Sequence, residues 1–267
     1  MSRHTLSYNG IDLSTFGVYV SGENAWAKPA PEFEQVSVPG RSGDVLLYNG
    51  RYSNIDITYR MGIISDFNTN YNALISHLMS SPGYHKLIDS SHPDGYRMAA
   101  VIAEVLPEMT RGNRKGQFDV TFTCKPQFYL NEGEEDVLML SGGSAYGDGV
   151  TNTIVNPTAF PTWPLVKVSI PSSDGTVYLA VSRKSGNTWY GVGTAKFVIY
   201  GTNTELYIDT ETGNVTDANG TNRNSMVKIG DSKFVQIPGN GRITSILSSG
   251  SQASNADIKV VPRWWRL

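Results

Sequence analysis

Residues 38–54 read VPGRSGDVLLYNGRYSN. Glycines 40, 43 and 50 and the charged Arg41, Asp44 and Arg51 surround a short apolar run, Val45, Leu46, Leu47 and Tyr48. Three readings compete for this stretch: a phosphate-cradling loop, a catalytic turn, or a projecting hairpin that another protein holds. The phosphate loop fails on chemistry. It needs a Lys-Ser/Thr ending and a helix N-terminus after it, and here a strand follows. What remains is a short strand bracketed by glycine-rich turns, because glycine takes the sharp reversals that other residues resist. Such a strand-turn unit offers an edge for pairing with another chain.

Outward from this stretch the pattern is mainly β. LSYNGIDLSTFGVYV, from Leu6, reads as strand, Asn9-Gly10 turn, strand, since Asn-Gly accepts the positive φ values of a tight hairpin. KPAPEF is barred from a central strand by its prolines, which lack amide donors. NIDITYRM sets Ile55, Ile57, Tyr59 and Met61 on one face and Asp56, Thr58 and Arg60 on the other, a half-buried strand. One helix is expected over 66–80, where Phe67, Tyr71, Leu74, Ile75, Leu78 and Met79 form a stripe. Ser65 or Asp66 would cap it and Pro82-Gly83 would stop it. HKLID, YRMAAVIAEVL and QFDVTFTC are expected strands, joined by the turns SHPDG and RGNRKG. In the second of these, residues 101–106 are apolar on both alternating faces, as in a strand covered on two sides.

Near residue 131 the composition shifts. NEGEED is acidic and SGGSAYGDGV is rich in small residues, so this segment reads as a linker. The expected domains are 1–132 and 133–267. The first is a β-sandwich-like domain with one α-helix and an extended hairpin. After the linker, turn signals recur every eight to twelve residues between short alternating runs, the pattern of a β-sandwich.

The totals exclude several functions. Both 1–130 and 131–267 carry 11 basic and 12 acidic residues, −1 each, without the basic excess of a nucleic-acid binder. Cys124 is the single cysteine, so no intrachain disulfide or multi-cysteine zinc site exists. Its setting, FDVTFTCKPQF, is that of a small buried residue rather than a nucleophile. No stretch approaches a membrane span and no apolar leader opens the sequence, so no membrane association is expected. HKLIDSSHPD offers His85, Asp89, His92 and Asp94 as a metal set, but a strand entering a turn would separate the imidazoles. No Gly-x-Ser-x-Gly elbow is present. The carboxylate pairs Glu134/Glu135 and Asp209/Glu211 sit in the linker and at a strand end. No catalytic, cofactor or metal residue is assigned. Trp264 and Trp265 are neighbours, so in a strand they face opposite ways, one into the core and the other to solvent or a neighbour.

YNGIDLSTFGVYV, then VPGRSGDVLLYNGRYSNIDITY, then the helix, then FTCKPQFYL, resemble the N-terminal domain of siphophage distal tail proteins, the Dit family. NPTAFPTWPLVKV, LYIDTETGNV, PGNGRI and PRWWRL resemble that family's C-terminal galectin-like β-sandwich. The resemblance implies a virion protein of the tail tip, assembled in the host cytoplasm. It implies a homo-hexameric ring that joins the tail tube protein to the tail-associated hub or fibre protein, with DNA passing through the lumen unbound. It makes residues 38–54 part of a hairpin reaching a neighbouring protomer. The expected interface residues are Pro39, Gly40, Arg41, Gly43, Asp44, Gly50, Arg51, Tyr52 and Trp265. The alternative is a carbohydrate-binding module that stacks host glycans on Trp189 or another exposed tryptophan.

Overall fold

A computed structural model describes residues 4–23, 27–110, 114–140, 153–170, 175–200, 202–229, 236–248 and 257–267. The chain is mainly β and divides into two units, residues 1–129 with Leu267, and residues 130–266.

The first unit opens with β1 (Leu6–Tyr8), β2 (Ile11–Asp12), a 3-10 turn (Leu13–Phe16) and β3 (Val18–Glu23). Then come β4 (Pro31–Val36), β5 (Val45–Tyr52), β6 (Ile55–Ile63) and the helix α1 (Phe67–Met79). β7 (His85–Asp89), β8 (Gly95–Ala100), β9 (Pro107–Met109) and β10 (Gly116–Leu130) complete it. Its main sheet runs β2-β1-β7-β8-β10-β6-β3, with β9 added on β10. Asn9 and Gly10 both take positive φ, 49° and 79°, which the β1–β2 hairpin turn requires.

The core of this unit follows from period-two alternation. Ile55, Ile57, Tyr59, Met61 and Ile63 of β6 are buried. Opposite them on β10 lie Cys124, Phe122, Val120 and Phe118, in register with the first four. α1 closes the layer with Phe67, Leu74 and Leu78. Each such side chain contributes about 1.5–3 kcal/mol by leaving water. Cys124 lies among them with its thiol pushed up to about 12 by burial. A thiol so protonated is a poor nucleophile. Cys124 is therefore expected to resist a disulfide reagent at pH 8 in the native protein and to react within seconds in denaturant. Prompt native labelling would place it elsewhere.

Asp89 is a buried carboxylate at the end of β7. It accepts from the Tyr59 hydroxyl at 2.7 Å and the Ser91 amide at 2.8 Å, and His4 Nε2 lies 2.6 Å away. Burial alone would raise its pKa, but the Ser91, Tyr59 and His4 hydrogen bonds outweigh burial and hold it below the usual carboxylate range. A depressed folded pKa stabilises above the unfolded value, about 4, and that stabilisation is lost as pH falls through the folded value. Asp89→Asn is expected to cost about 1.5–3 kcal/mol at pH 7. The gap to the parent protein should shrink below pH 4 in urea unfolding; a gap unchanged at pH 3 would contradict the assignment.

β8 stops at Ala100, and residues 101–106 leave the sheet instead of extending a doubly apolar strand. β8 and β9 lie on the same edge of β10, because β6 occupies the other, so the chain makes a detour between them. Within it Val105 turns inward, its carbonyl accepting the Tyr71 hydroxyl at 2.7 Å, while Ile102 and Leu106 face outward. The alternation is that of a loop pinned at one carbonyl.

The second unit holds β11 (Val137–Leu140), β12 (Thr153–Val155), β13 (Leu165–Ile170), β14 (Gly175–Ser185) and β15 (Thr188–Ile199). β16 (Thr202–Asp209), β17 (Val215–Asp217), β18 (Val227–Ile229), β19 (Gly241–Ser248), β20 (Asp257–Val261) and β21 (Trp265–Arg266) follow. Two five-stranded sheets form, β11-β20-β13-β16-β17 and β12-β19-β14-β15-β18. Val166, Val168, Leu206, Ile208, Ile258 and Val260 of the first meet Val181, Phe197, Ile199 and Ile243 of the second in one core, making a β-sandwich. The acidic segment is not a linker. Residues 131–133 form a 3-10 turn, the Gly133 carbonyl accepts the Arg263 amide at 2.7 Å, and β11 follows at Val137. A Cβ on Gly133 would fall 2.2 Å from the Trp264 nitrogen, so close backbone approach explains the glycine. SGGSAYGDGV lies outside the described residues.

Candidate assembly interface

Among the described residues, β4 and β5 pair only with each other, as a two-stranded ribbon apart from the main sheet. Val36 faces Val45, Gln35 faces Leu46, Glu34 faces Leu47 and Phe33 faces Tyr48. The rings of Phe33 and Tyr48 meet across the strands, centroids 5.4 Å apart. Pro31 opens β4, at the strand start where a missing amide is tolerated. At the tip, the Arg41 amide donates to the Val38 carbonyl at 3.2 Å around Pro39-Gly40. Gly40 and Gly43 have φ of 80° and 82°, and a Cβ on either would meet nothing within 4 Å. Backbone conformation, not crowding, accounts for these glycines.

The second glycine-rich turn expected at residue 50 is absent. Gly50 lies inside β5, at φ 74°, where the register shifts between Pro31 and Phe33, so it forms a bulge and the strand runs on to Tyr52. Beside it Arg51 pairs with Glu32.

Eight of the nine expected interface residues thus share one ribbon. Pro39, Gly40, Arg41, Gly43 and Asp44 form its tip, and Gly50, Arg51 and Tyr52 belong to its second strand. Trp265 belongs to the second unit. Its indole N–H donates to the Pro161 carbonyl at 2.9 Å and its ring stacks on Phe160 at 4.6 Å. Trp264 beside it is core.

The ribbon also bears residues that sequence reasoning missed. Leu46 is 57% exposed, Leu47 48%, Tyr48 51% and Phe33 47%. Leu46 and Leu47 are consecutive, so they stand on opposite faces and both faces are bare. A two-stranded hairpin is marginal in water, and contiguous exposed apolar side chains mark a contact surface. The signal was the run VLLY itself, apolar without alternation in a strand with no layer beside it.

The segments quoted for the second unit meet in a polar knot. Asn156 is buried; its Nδ2 donates to the carbonyls of Phe160 and Pro238 at 2.9 and 3.1 Å. Its Oδ1 accepts from the Thr158 amide and hydroxyl at 2.9 and 2.8 Å. The Thr162 hydroxyl reaches the carbonyls of Pro262 and Arg263. Arg263 forks onto Asp209, Nη1–Oδ1 3.2 Å and Nη2–Oδ2 3.1 Å. Burial raises the Asp209 pKa, but the hydrogen bond and charge of Arg263 outweigh it and hold the carboxylate below its usual range. Asn156, Pro238, Asp209 and Arg263 come from four separate segments, so these motifs encode architecture.

No catalytic constellation emerges among these groups. His85 Nε2 lies 3.1 Å from the Ser81 carbonyl, the His92 ring packs edge-on to Phe128, and Asp89 is engaged as described. Among the described residues, no group of three or more His, Cys, Asp and Glu is placed to hold a metal ion. No helix among the described residues is long and apolar enough to cross a membrane.

No family model matches the sequence, and no curated protein matches it. Solved structures do match. The SPP1 Dit (gp 19.1) protein, described as a paradigm of the hub adsorption apparatus in phages infecting Gram-positive hosts, superposes with a TM-score of 0.65 at 15% identity. The match covers 97% of this chain and 98% of that one. The chain has the fold of a phage distal tail protein. Chains of the phage P2 baseplate in its activated conformation share this distal-tail fold. With Ca the TM-score is 0.56 at 10% identity, covering 97% and 98% of the two chains. With Sr it is 0.53 at 10% identity, covering 97% of each.

Proposed function

We propose that this chain is a structural component of a siphophage tail tip. Six copies close into a ring that joins the tail tube to a hub or fibre protein and leaves a lumen for DNA. Its work is assembly and the transmission of attachment, not catalysis. The observation that carries this reading is the likeness to the SPP1 Dit protein through both units, 97% of this chain. The ribbon supports it, because bare apolar faces on a two-stranded projection need cover from a neighbouring copy. A heterologous contact of that kind makes a ring when its rotation closes. The net charge of −2 suits a conduit, since each cationic contact in the lumen would hold DNA phosphate. Light scattering with negative-stain imaging of the purified protein tests it. A sixfold annulus is the expected result, and a strict monomer at high concentration would count against self-assembly.

A further inference from the structure

The two sheets of the sandwich carry charge differently. On the β11-β20-β13-β16-β17 sheet, Lys167 Nζ lies 2.7 Å from Asp136 and Lys259 Nζ 3.8 Å from Glu205, so cations and carboxylates neutralise each other. The five strands of the other sheet hold Arg183, Lys184, Lys196, Lys228 and Arg242 and no Asp or Glu. Among the described residues, none of Arg183, Lys184, Lys228 and Arg242 is in an ion pair.

Register places most of these cations on one face. Val181, Phe197, Ile199 and Ile243 point into the core. Lys196 neighbours Phe197, and Lys228 stands opposite Val198, so both point out. Arg242 stands opposite Ser182, and Lys184 opposite Trp189, on the same outer face. The Arg242 guanidinium reaches across β14 to lie 4.3 Å from the centroid of the Trp189 ring, and Lys184 Nζ lies 5.9 Å from it. The indole is therefore a backing that orients cations rather than a bare stacking platform. Val155, opposite Arg242, is more than half exposed on this face.

We propose that the outer face of this sheet docks an acidic segment of a partner polypeptide, in which carboxylates alternate with apolar side chains. Charge complementarity selects the acid: among the described residues the outward Lys184, Lys228 and Arg242 are in no ion pair, so they favour an anionic occupant and steer its approach. The exposed Val155 selects a polypeptide over a phosphate polymer, which would set charged oxygens against it. Arg242, held flat on Trp189, presents its fork to a carboxylate. The proposal stands whether or not the chain forms a ring.

Calorimetric titration of the full-length protein tests it with two probes of equal charge, a peptide alternating Glu and Val and an inorganic polyphosphate. The peptide is expected to bind more tightly than polyphosphate, and less tightly as salt rises from about 50 to 500 mM. Lys184→Glu with Arg242→Glu should weaken it by about tenfold or more. Lys184→Glu with Lys228→Glu, which spares the Trp189 stack, should act in the same direction; unchanged melting temperatures certify folding. No peptide binding, equal binding by the reversed variants, or tighter binding of polyphosphate would each overturn the proposal, the last in favour of an anionic polymer.

Discussion

Asn156→Ala is expected to lower the stability of the second unit by about 3–5 kcal/mol, a large share of what a domain of this size possesses. The side chain is buried and uses both donors and its acceptor on four partners. Alanine removes those four bonds, each worth about 0.5–1.5 kcal/mol, and strands the Thr158 amide at a further cost of about 1–3 kcal/mol, while the Pro238 carbonyl keeps the Gly241 amide and the Phe160 carbonyl keeps the Thr158 hydroxyl. The pocket is polar, so a water could recover part of the loss, which keeps the figure below the plain sum. Asn156→Asp discriminates further. It keeps the acceptor but turns a carboxylate oxygen toward the carbonyls of Phe160 and Pro238, so it should be no milder than alanine at pH 7 and should improve as acid protonates it. Gly239→Ala probes the same knot from the other side, since its Cβ would fall 2.0 Å from the Ala159 carbonyl oxygen. Urea unfolding followed by tryptophan fluorescence measures all three. A loss under about 1 kcal/mol for Asn156→Ala would mean that the knot is not what holds the loops over the sandwich.

These residues also show what is legible in a sequence and why. β6 and α1 were readable because one side of each is buried within the chain, and burial imposes period two or a helical stripe. Asn9-Gly10 was readable because its conformation is local. Residues 101–106 misled because alternation is necessary for a strand but not sufficient: the Tyr71 hydroxyl, 34 residues away, decides where the chain leaves the sheet. The acidic segment 131–136 misled because composition resembles a linker, whereas the constraint is Trp264 packed on Gly133, a contact more than a hundred residues distant. Gly50 was visible as a residue needing positive φ, but turn and bulge both meet that need, and only the pairing with β4 separates them. The residues proposed for the interface stand out by turn chemistry, which glycine and charge advertise. The exposed apolar faces do not, because exposure of Leu46 and Leu47 on both faces is a property of a ribbon that, among the described residues, has no neighbouring layer.

Leu46→Glu with Leu47→Glu is expected to abolish ring formation while leaving the folded protomer as stable as before. Both side chains are about half exposed already, so the protomer loses little buried apolar area and its unfolding free energy should stay within about 0.5 kcal/mol. In a ring each leucine would be buried against a neighbour, on opposite faces of the ribbon. Replacing it with a carboxylate both removes the burial and desolvates a charge. A central apolar contact is worth about 2 kcal/mol or more, so two of them cost about a thousandfold in the affinity of each interface. A closed ring repeats that loss at every junction, so assembly should fail outright rather than weaken gradually. Arg51→Ala is the control. It removes an exposed pair with Glu32, worth at most about 1 kcal/mol, so it should leave the rings in place. Sedimentation velocity and negative-stain imaging read assembly, and a thermal melt reads folding. Intact rings from the doubly charged variant would move the contact surface away from the ribbon. Unfolding of that variant would mean instead that the ribbon packs against its own chain, and the bare faces would then have a partner within the protomer.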